Sequence, residues 1–345
     1  MASSKKAVYA AIAGNFSIAV TKFAGAAISG SSAMLTEGIH SLVDTGNGGL
    51  LLLGMRRAKR PPDEQHPFGY GKSLYFYTLI VAILIFGVGG GVSIYEGIKH
   101  ALHPGAIESQ TISLLGLSFT GLTLNIAVLV VAILFESWAG YTALVEFNKE
   151  RGQQSMWKAI RTSKDPTTFT VLFEDSAALA GLVVALVGVV LAHQLQMPVI
   201  DGIASIGIGL ILCGVASFLV WESKGLLLGE SADPEERAAI QRLARADEGV
   251  EEVGRTMTMH LGPHEVLLTL ELKFADDLSA EGVEAAVDRV ERAIRAELPH
   301  VKRIFVEAES LAATRRSGGQ GSAQRGSGRQ RGNGGDDSSA EAAST

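Results

Sequence analysis

Residues 74–95 read LYFYTLIVAILIFGVGGGVSIY, a run without a charged side chain. An α-helix rises about 1.5 Å per residue, and the hydrocarbon core of a bilayer is about 30 Å thick, so about 20 apolar residues are enough to cross it. This run therefore predicts a transmembrane helix. Five other stretches meet the same condition, and the sequence predicts six spans at about residues 7–29, 33–54, 74–95, 112–135, 167–192 and 199–221.

The composition of the whole chain agrees with a membrane protein. Hydrophobic residues make up 47% of the 345 positions and charged residues 19%, whereas a soluble domain carries about 25% charged residues. The single cysteine, Cys213, excludes a disulfide framework and a thiolate zinc cluster. The net charge of −6 and the absence of Walker, Rossmann and zinc-finger spacings give no indication of a nucleic-acid partner or of a bound cofactor.

Lysine and arginine concentrate on one side of the predicted spans. They precede the first span and follow the second and the fourth, whereas the three opposite loops contribute only Lys99. The positive-inside rule then predicts that both termini face the cytoplasm. Because the sequence shows no organelle-targeting presequence, we expect a bacterial inner (plasma) membrane.

The character of the chain changes after the last span. We expect a transmembrane domain at residues 1–229, a cytoplasmic α+β domain at 230–310 and a disordered Gly/Ser/Arg-rich tail at 311–345. Within the α+β domain the pattern predicts the order α-β-β-α-β, as in a small ferredoxin-like sheet with helices on one face. The predicted elements are helices at 234–246 and 279–297 and strands at 253–260, 265–274 and 301–307.

Ionisable side chains inside a span cost about 3 kcal/mol or more each, so each requires a reason. His40 and Asp44 are four residues apart and therefore share one helix face. Asp44 would lie about 16 Å below the outer surface and Asp175 about 12 Å above the inner one, close to the same level. Imidazole and carboxylate donors without sulfur suit zinc, and also cobalt, iron or manganese. A hydrogen-bonded His–Asp pair that joins two helices is the alternative, but the additional acids Glu174 and Asp175 favour a cation site.

A second group of charges falls toward the outer side. Lys22, Glu37 and Asp201 are predicted to form a structural ion network between spans one, two and six. Glu37 also shares a face with His40 and Asp44, and is alternatively an accessory station on a path to the outside.

Several motifs resemble those of one family. Residues 29–44, SGSSAMLTEGIHSLVD, resemble the second-span signature of the cation diffusion facilitator family, and residues 66–72, HPFGYGK, resemble its loop after span two. Residues 201–205, DGIAS, are similar to its sixth-span opening, and the predicted α-β-β-α-β order is similar to its cytoplasmic domain. The resemblance covers about residues 5–310. It implies a homodimeric exporter of a divalent cation, commonly zinc, that is driven by protons moving inward.

The fifth span departs from the family pattern. Val171 stands where family members usually carry a ligand four residues before Asp175. Residues 164–178, KDPTTFTVLFEDSAA, instead resemble the branch that contains eukaryotic zinc transporter nine and its bacterial relatives. Glu174 is the substitute ligand, although it is turned about 100° from Asp175, so we expect a local helix distortion or a water in the fourth place. Glu136, at the predicted inner end of span four, is another candidate, as a gate, with an acid that reaches the interface as the alternative.

Two further departures concern sites outside the spans. Tyr70 replaces a second histidine of the loop motif, so Asp63 and His66 would form at most a weak accessory site. Gly282 and Val283 replace an Ala-His pair of the cytoplasmic domain, which favours a dimerisation role over metal sensing.

Other functions are compatible with some of these residues. Manganese, iron or cobalt efflux is an alternative because extra carboxylates harden the site. A non-transporting metal sensor or scaffold would use the same ligands. An intramembrane metallohydrolase is the remote alternative, since the chain has no His-Glu-x-x-His pair. The sequence therefore predicts a secondary transporter, not an enzyme.

Overall fold

The computed structural model describes residues 2–29, 32–103, 111–114 and 117–308. The predicted tail at 311–345 lies outside the described residues. The side chains of Glu37 and His40 also lie outside them, although both residues belong to a described helix.

Long helices account for most of the first 228 residues. They are α1 (Ala2–Ser29), α2 (Ser32–Arg57), α3 (Ser73–Leu84), α4 (Val92–Leu102), α5 (Gly121–Arg151), the short α6 (Met156–Thr162), α7 (Pro166–Leu195) and α8 (Val199–Leu228). A π-helix, Ile85–Gly91, joins α3 to α4 into one continuous rod.

Five of the six predicted spans fall on these helices, and the fourth does so only in part. Within the described part of the chain, four helical stretches are long and apolar enough to cross a membrane: Ser73–Leu102, Asn125–Lys149, Phe169–Leu195 and Val199–Leu228. The prediction of a helical membrane protein with a C-terminal α+β domain is therefore confirmed.

The predicted limits of span four are wrong. Thr111–Leu114 (β1) and Leu117–Thr120 (β2) form an antiparallel hairpin in which Thr111 pairs with Thr120, and α5 begins only at Gly121. A hydropathy pattern cannot distinguish this apolar hairpin from helix, and it stops at the first acid, Glu136. The helix continues through that acid to Arg151, so Glu136 lies in the middle of α5 and not at its inner end.

The helices pack in two groups. In the first group α1 packs against α2 and α5, and α5 packs against α7. In the second, the rod from α3 to α4 packs along α8, which also contacts α7. Fully buried side chains such as Tyr75, Phe169 and Leu219 fill the space between them.

Glycines bring the backbones of the second group into contact. A Cβ atom at Gly97 would lie 2.7 Å from the carbonyl oxygen of Gly202, and one at Gly90 would lie 3.0 Å from that of Gly209. Both helices thus carry two glycines seven residues apart, and each pair allows the main chains to touch. We call these four residues the glycine seam.

The C-terminal elements are α9 (Pro234–Arg245), β3 (Val250–Gly262), β4 (Glu265–Phe274), α10 (Ala280–Glu297) and β5 (Val301–Ala308). The three strands form one sheet in the order β3-β4-β5. The predicted element order is confirmed, with strand β3 longer than expected at both ends. By packing, residues 258–267 and 300–303 group with the transmembrane helices and not with α9 and α10, and the predicted boundaries at 229 and 310 stay a prediction.

A bidentate ion pair fixes α10 in the C-terminal region. The Arg289 guanidinium donates to both carboxylate oxygens of Asp247, at 2.7 and 2.8 Å, and the Gly249 amide donates to the same carboxylate at 3.0 Å. These hydrogen bonds, from Arg289 above all, hold the pKa of Asp247 below its ordinary value.

The glycine seam gives a first test. We expect Gly97→Ala to destabilise the full chain in detergent by about 1–3 kcal/mol, because the added methyl meets backbone atoms that cannot move aside. Gly214→Ala on α8 is the control, since a Cβ there has no neighbour within 4 Å, and alanine favours helix by about 0.5–1 kcal/mol. Thermal unfolding should therefore give a lower melting temperature for Gly97→Ala, and a higher one for Gly214→Ala, than for the parent. Equal melting temperatures of the two variants would contradict the close backbone packing at the glycine seam.

The Asp247–Arg289 pair gives a second test. Because the pKa of Asp247 is lowered in the folded state, its ionised form contributes stability above the unfolded pKa of about 3.9, and this contribution is lost as the pH falls below it. We expect Asp247→Asn to cost about 1 kcal/mol at pH 7, since Arg289 is half exposed, and the difference from the parent to shrink toward pH 3.

The measurement is thermal unfolding of the full chain at both pH values. Glu291→Gln, which removes the exposed pair with Arg295 on the same helix, should cost about 0.5 kcal/mol or less. An Asp247→Asn deficit that persists unchanged at pH 3 would show that the carboxylate charge is not responsible.

Candidate functional site

Acidic side chains from three helices meet inside the first helix group. They are Asp44 of α2, Glu136 of α5, and Glu174 and Asp175 of α7, and every pair among them lies within electrostatic range. Three of these four were predicted as ligands from the sequence. The fourth, Glu136, was a further candidate from the sequence, and it lies within electrostatic range of the other three.

Asp175 occupies the most enclosed position of the four. Its side chain is 2% exposed, and its Oδ2 atom has no hydrogen-bond partner among the described residues. On the facing helix, a Cβ at Gly140 would lie 3.6 Å from the Asp175 Cβ. The missing side chain at Gly140 thus lets α5 approach α7 beside this carboxylate.

Glu174 points toward α2. Its Oε1 atom accepts a hydrogen bond of 3.1 Å from Nδ2 of Asn47, a fully buried residue three positions after Asp44. The expected distortion of the helix is absent, because α7 is regular α-helix from Pro166 to Leu195. Sequence reasoning missed Asn47, although its i+3 spacing from Asp44 on a membrane helix was a usable signal.

Glu136 is buried, not interfacial. Its side chain is 6% exposed, and its Oε2 atom has no hydrogen-bond partner. The interpretation as an acid that reaches the membrane surface is therefore wrong. The error comes from the misplaced start of span four, which shifted Glu136 from mid-helix to the inner boundary.

The remaining predicted ligand and its neighbours are only partly described. His40 lies in α2 one turn before Asp44, with its side chain outside the described residues. Among the described side chains, no three of His, Cys, Asp or Glu are grouped closely enough to hold a metal ion. Val171, one turn before Asp175, is 2% exposed and belongs to the apolar core.

Lys22 lies next to this acidic group. It is buried in α1, its Nζ donates to Oγ of Ser41 at 3.1 Å, and it is within electrostatic range of Glu136. It thus connects α1 to α2 through Ser41; its predicted pairing with Glu37 stays a prediction, because the Glu37 side chain lies outside the described residues. Asp201 lies in the first turn of α8, and its place in that network stays a prediction.

The loop after α2 forms a small polar cluster of its own. Tyr70 donates its hydroxyl to Oδ2 of Asp63 at 2.6 Å, and the His66 amide donates to Oδ1 at 2.8 Å. These bonds lower the pKa of Asp63, and the same contact raises the pKa of Tyr70. The His66 ring lies against Tyr70 with Nδ1 3.6 Å from the Asp63 carboxylate. Tyr70 therefore occupies one of the two Asp63 carboxylate oxygens that could coordinate a cation in this loop.

Comparisons with known proteins agree with this architecture. Residues 8–228 match the model of the cation efflux transmembrane domain, and residues 232–311 match that of the cation efflux protein cytoplasmic domain.

Several characterised proteins are similar to the chain. The human mitochondrial proton-coupled zinc antiporter SLC30A9 is 33% identical over 73% of this chain and 43% of its own length. Metal tolerance protein C4 of Arabidopsis thaliana is 29% identical over 79% of this chain and 57% of its own length. The magnetosome protein MamB of Paramagnetospirillum magneticum is 24% identical over 86% of this chain and 93% of its own length.

The chain spans about half the length of the eukaryotic proteins that it matches. The transmembrane match covers most of the helical region, and the cytoplasmic match covers the C-terminal elements up to residue 311. The chain therefore belongs to the cation diffusion facilitator family of multi-pass membrane proteins for metal cation efflux, which are secondary transporters and not enzymes.

Proposed function

We propose that this chain exports a divalent cation, zinc first of all, in exchange for protons. The observation that carries the proposal is the convergence of Asp44, Glu136, Glu174 and Asp175 from three helices in a buried region. Neighbouring carboxylates in a low dielectric repel one another strongly and are tolerated only with cations or protons. A site that binds a dication and protons in turn keeps the repulsion among these carboxylates compensated.

The ligands we propose are His40, Asp44 and Asp175, and Glu174 is the sequence candidate for the fourth place. A helix presents His40 and Asp44 one turn apart, and α7 supplies the carboxylates from the opposite side. Metal ligands must lose their protons before binding, and an imidazole exchanges a proton for a metal readily near neutral pH. The donor set therefore couples cation release to proton uptake.

The choice of zinc is supported by the donors and by the relatives. Nitrogen and oxygen donors without sulfur suit zinc in an exchangeable site. The human and frog relatives are named proton-coupled zinc antiporters. We extend ion and coupling from those proteins to this chain as part of the proposal.

We propose that the chain acts as a homodimer in a bacterial inner membrane with both termini in the cytoplasm. The basic residues after the second predicted span support this orientation, as does the match of residues 232–311 to a cytoplasmic domain. Relatives named for mitochondria and for magnetosomes give other membranes as the alternatives.

The two helix groups suggest how access alternates. The four helices α1, α2, α5 and α7 pack around the acids, whereas the α3–α4 rod and α8 are joined through the glycine seam. Rocking of the first group against the second would open the acids to one side of the membrane at a time. Protons from the outer side would displace the ion, and the protonated site would return.

Zinc flux into proteoliposomes with an imposed pH gradient tests the site. Asp44→Asn combined with Asp175→Asn should lower the flux at least about tenfold, because two ligand charges are removed without change of shape. Glu96→Gln is the matched control, since this carboxylate near the end of α4 pairs with Lys99 and should leave the flux unchanged. Equal flux in the double variant and the parent would overturn the proposed site.

Proton exchange is tested separately with a pH dye enclosed in the vesicles. Zinc that enters the lumen should drive protons out, so that the lumen becomes more alkaline in proportion to zinc uptake. The Asp44→Asn variant should lose both signals together. Zinc uptake without any change of luminal pH would refute antiport while leaving the cation site standing.

A further inference from the structure

One buried acid of α5 has no role in the donor set above. Glu136 lies in the middle of α5, is within electrostatic range of Asp44 and Asp175, and has an unpartnered Oε2 atom. Of the buried side-chain oxygens that lack a hydrogen-bond partner in the described part of the chain, the carboxylate oxygens belong to Glu136 and Asp175. A carboxylate oxygen buried without a partner requires a cation or a proton beside it.

The helix face that carries Glu136 is directed toward Asp175. Gly140 follows Glu136 by four residues, so the two lie on one face of α5. Because a Cβ at Gly140 would lie 3.6 Å from the Asp175 Cβ, this face packs against α7 at the level of that carboxylate. Glu136 therefore approaches Asp175 from a third helix.

The position one turn before Asp175 on α7 carries no donor. Val171 is apolar and buried in the core, so it offers no donor. Glu174, the nearest substitute in sequence, is engaged by Asn47 through a hydrogen bond of 3.1 Å, on a regular helix that turns it about 100° from Asp175. One coordination place beside Asp175 is thus left without a donor from α7.

We infer that Glu136 fills this place: α5 contributes a carboxylate ligand to the transported cation, and Glu174 serves to hold α2 and α7 together through Asn47. The inference rests on the proposed cation transport. It makes α5 a ligand-bearing helix together with α2 and α7. Together with His40, Asp44 and Asp175, Glu136 gives the site three carboxylates and one imidazole. This donor set is harder than one of two carboxylates and two imidazoles.

The alternative role for Glu136 is that of an acid held only by Lys22, which lies within electrostatic range. Glutamine distinguishes the two roles, because it keeps the size and hydrogen-bonding capacity of a glutamic acid but carries no charge for a dication. Aspartate keeps the charge but shortens the reach by one methylene.

The experiment measures zinc and manganese binding and transport by the full chain. We expect Glu136→Gln to weaken zinc binding at least about tenfold, to weaken manganese binding more, and to remove most of the zinc-induced rise in melting temperature. Glu136→Asp should retain part of the zinc transport with a changed zinc-to-manganese ratio. Glu174→Gln should affect zinc binding less than Glu136→Gln.

The matched control is Glu146→Gln, which changes a buried acid on the same helix that is paired with Lys149 at 2.9 Å; its zinc binding should equal that of the parent. If Glu136→Gln binds and transports zinc as the parent does while Asp175→Asn is inactive, the inference fails and the proposed function survives. If the parent itself moves no cation, the proposed function fails. If Glu136→Gln does not fold, Glu136→Asp is the deciding variant. Zinc and manganese affinities and a zinc-to-manganese transport ratio equal to those of the parent would then overturn the assignment of Glu136 as a ligand.

Discussion

The mutual repulsion of acids that are buried in a helix bundle is the constraint on which the rest of this structure depends. Among the described residues, Asp175 and Glu136 each keep one oxygen without a hydrogen-bond partner, and Lys22 is a positive charge within electrostatic range of Glu136. A purely structural bundle would gain stability if such residues were replaced with apolar ones. Such acids are expected in a carrier, because the cation or protons that compensate their charge bind and are released during transport.

The packing around the acids is compatible with that requirement. Small residues such as Gly140 allow helices to come close beside Asp175 without filling the space that an ion would need. The α3–α4 rod and α8 have backbones in contact at the glycine seam.

Much of this architecture could be predicted from residue patterns. The C-terminal elements were indicated in part by the alternating apolar positions of β4, where Val266, Leu268 and Leu270 are buried. The limits of span four were predicted wrongly because hydropathy carries no information about hydrogen bonding. An apolar hairpin was therefore predicted as helix, and a buried acid was taken as the end of the span. The same error placed Glu136 at the inner end of its helix, whereas it lies in the middle of α5. The Asn47–Glu174 bond joins residues far apart in sequence, and no local pattern encodes such a contact.

The π-helical turn at Ile85–Gly91 sets the rotational phase of α4 in the rod. Its i→i+5 bonding accommodates one residue more than an ordinary turn. Loss of any single residue from this stretch would restore ordinary winding and rotate Gly97 by about 100° away from Gly202. The length of this segment is consequently constrained together with Gly90, where an added Cβ would meet Cys213 and Gly209.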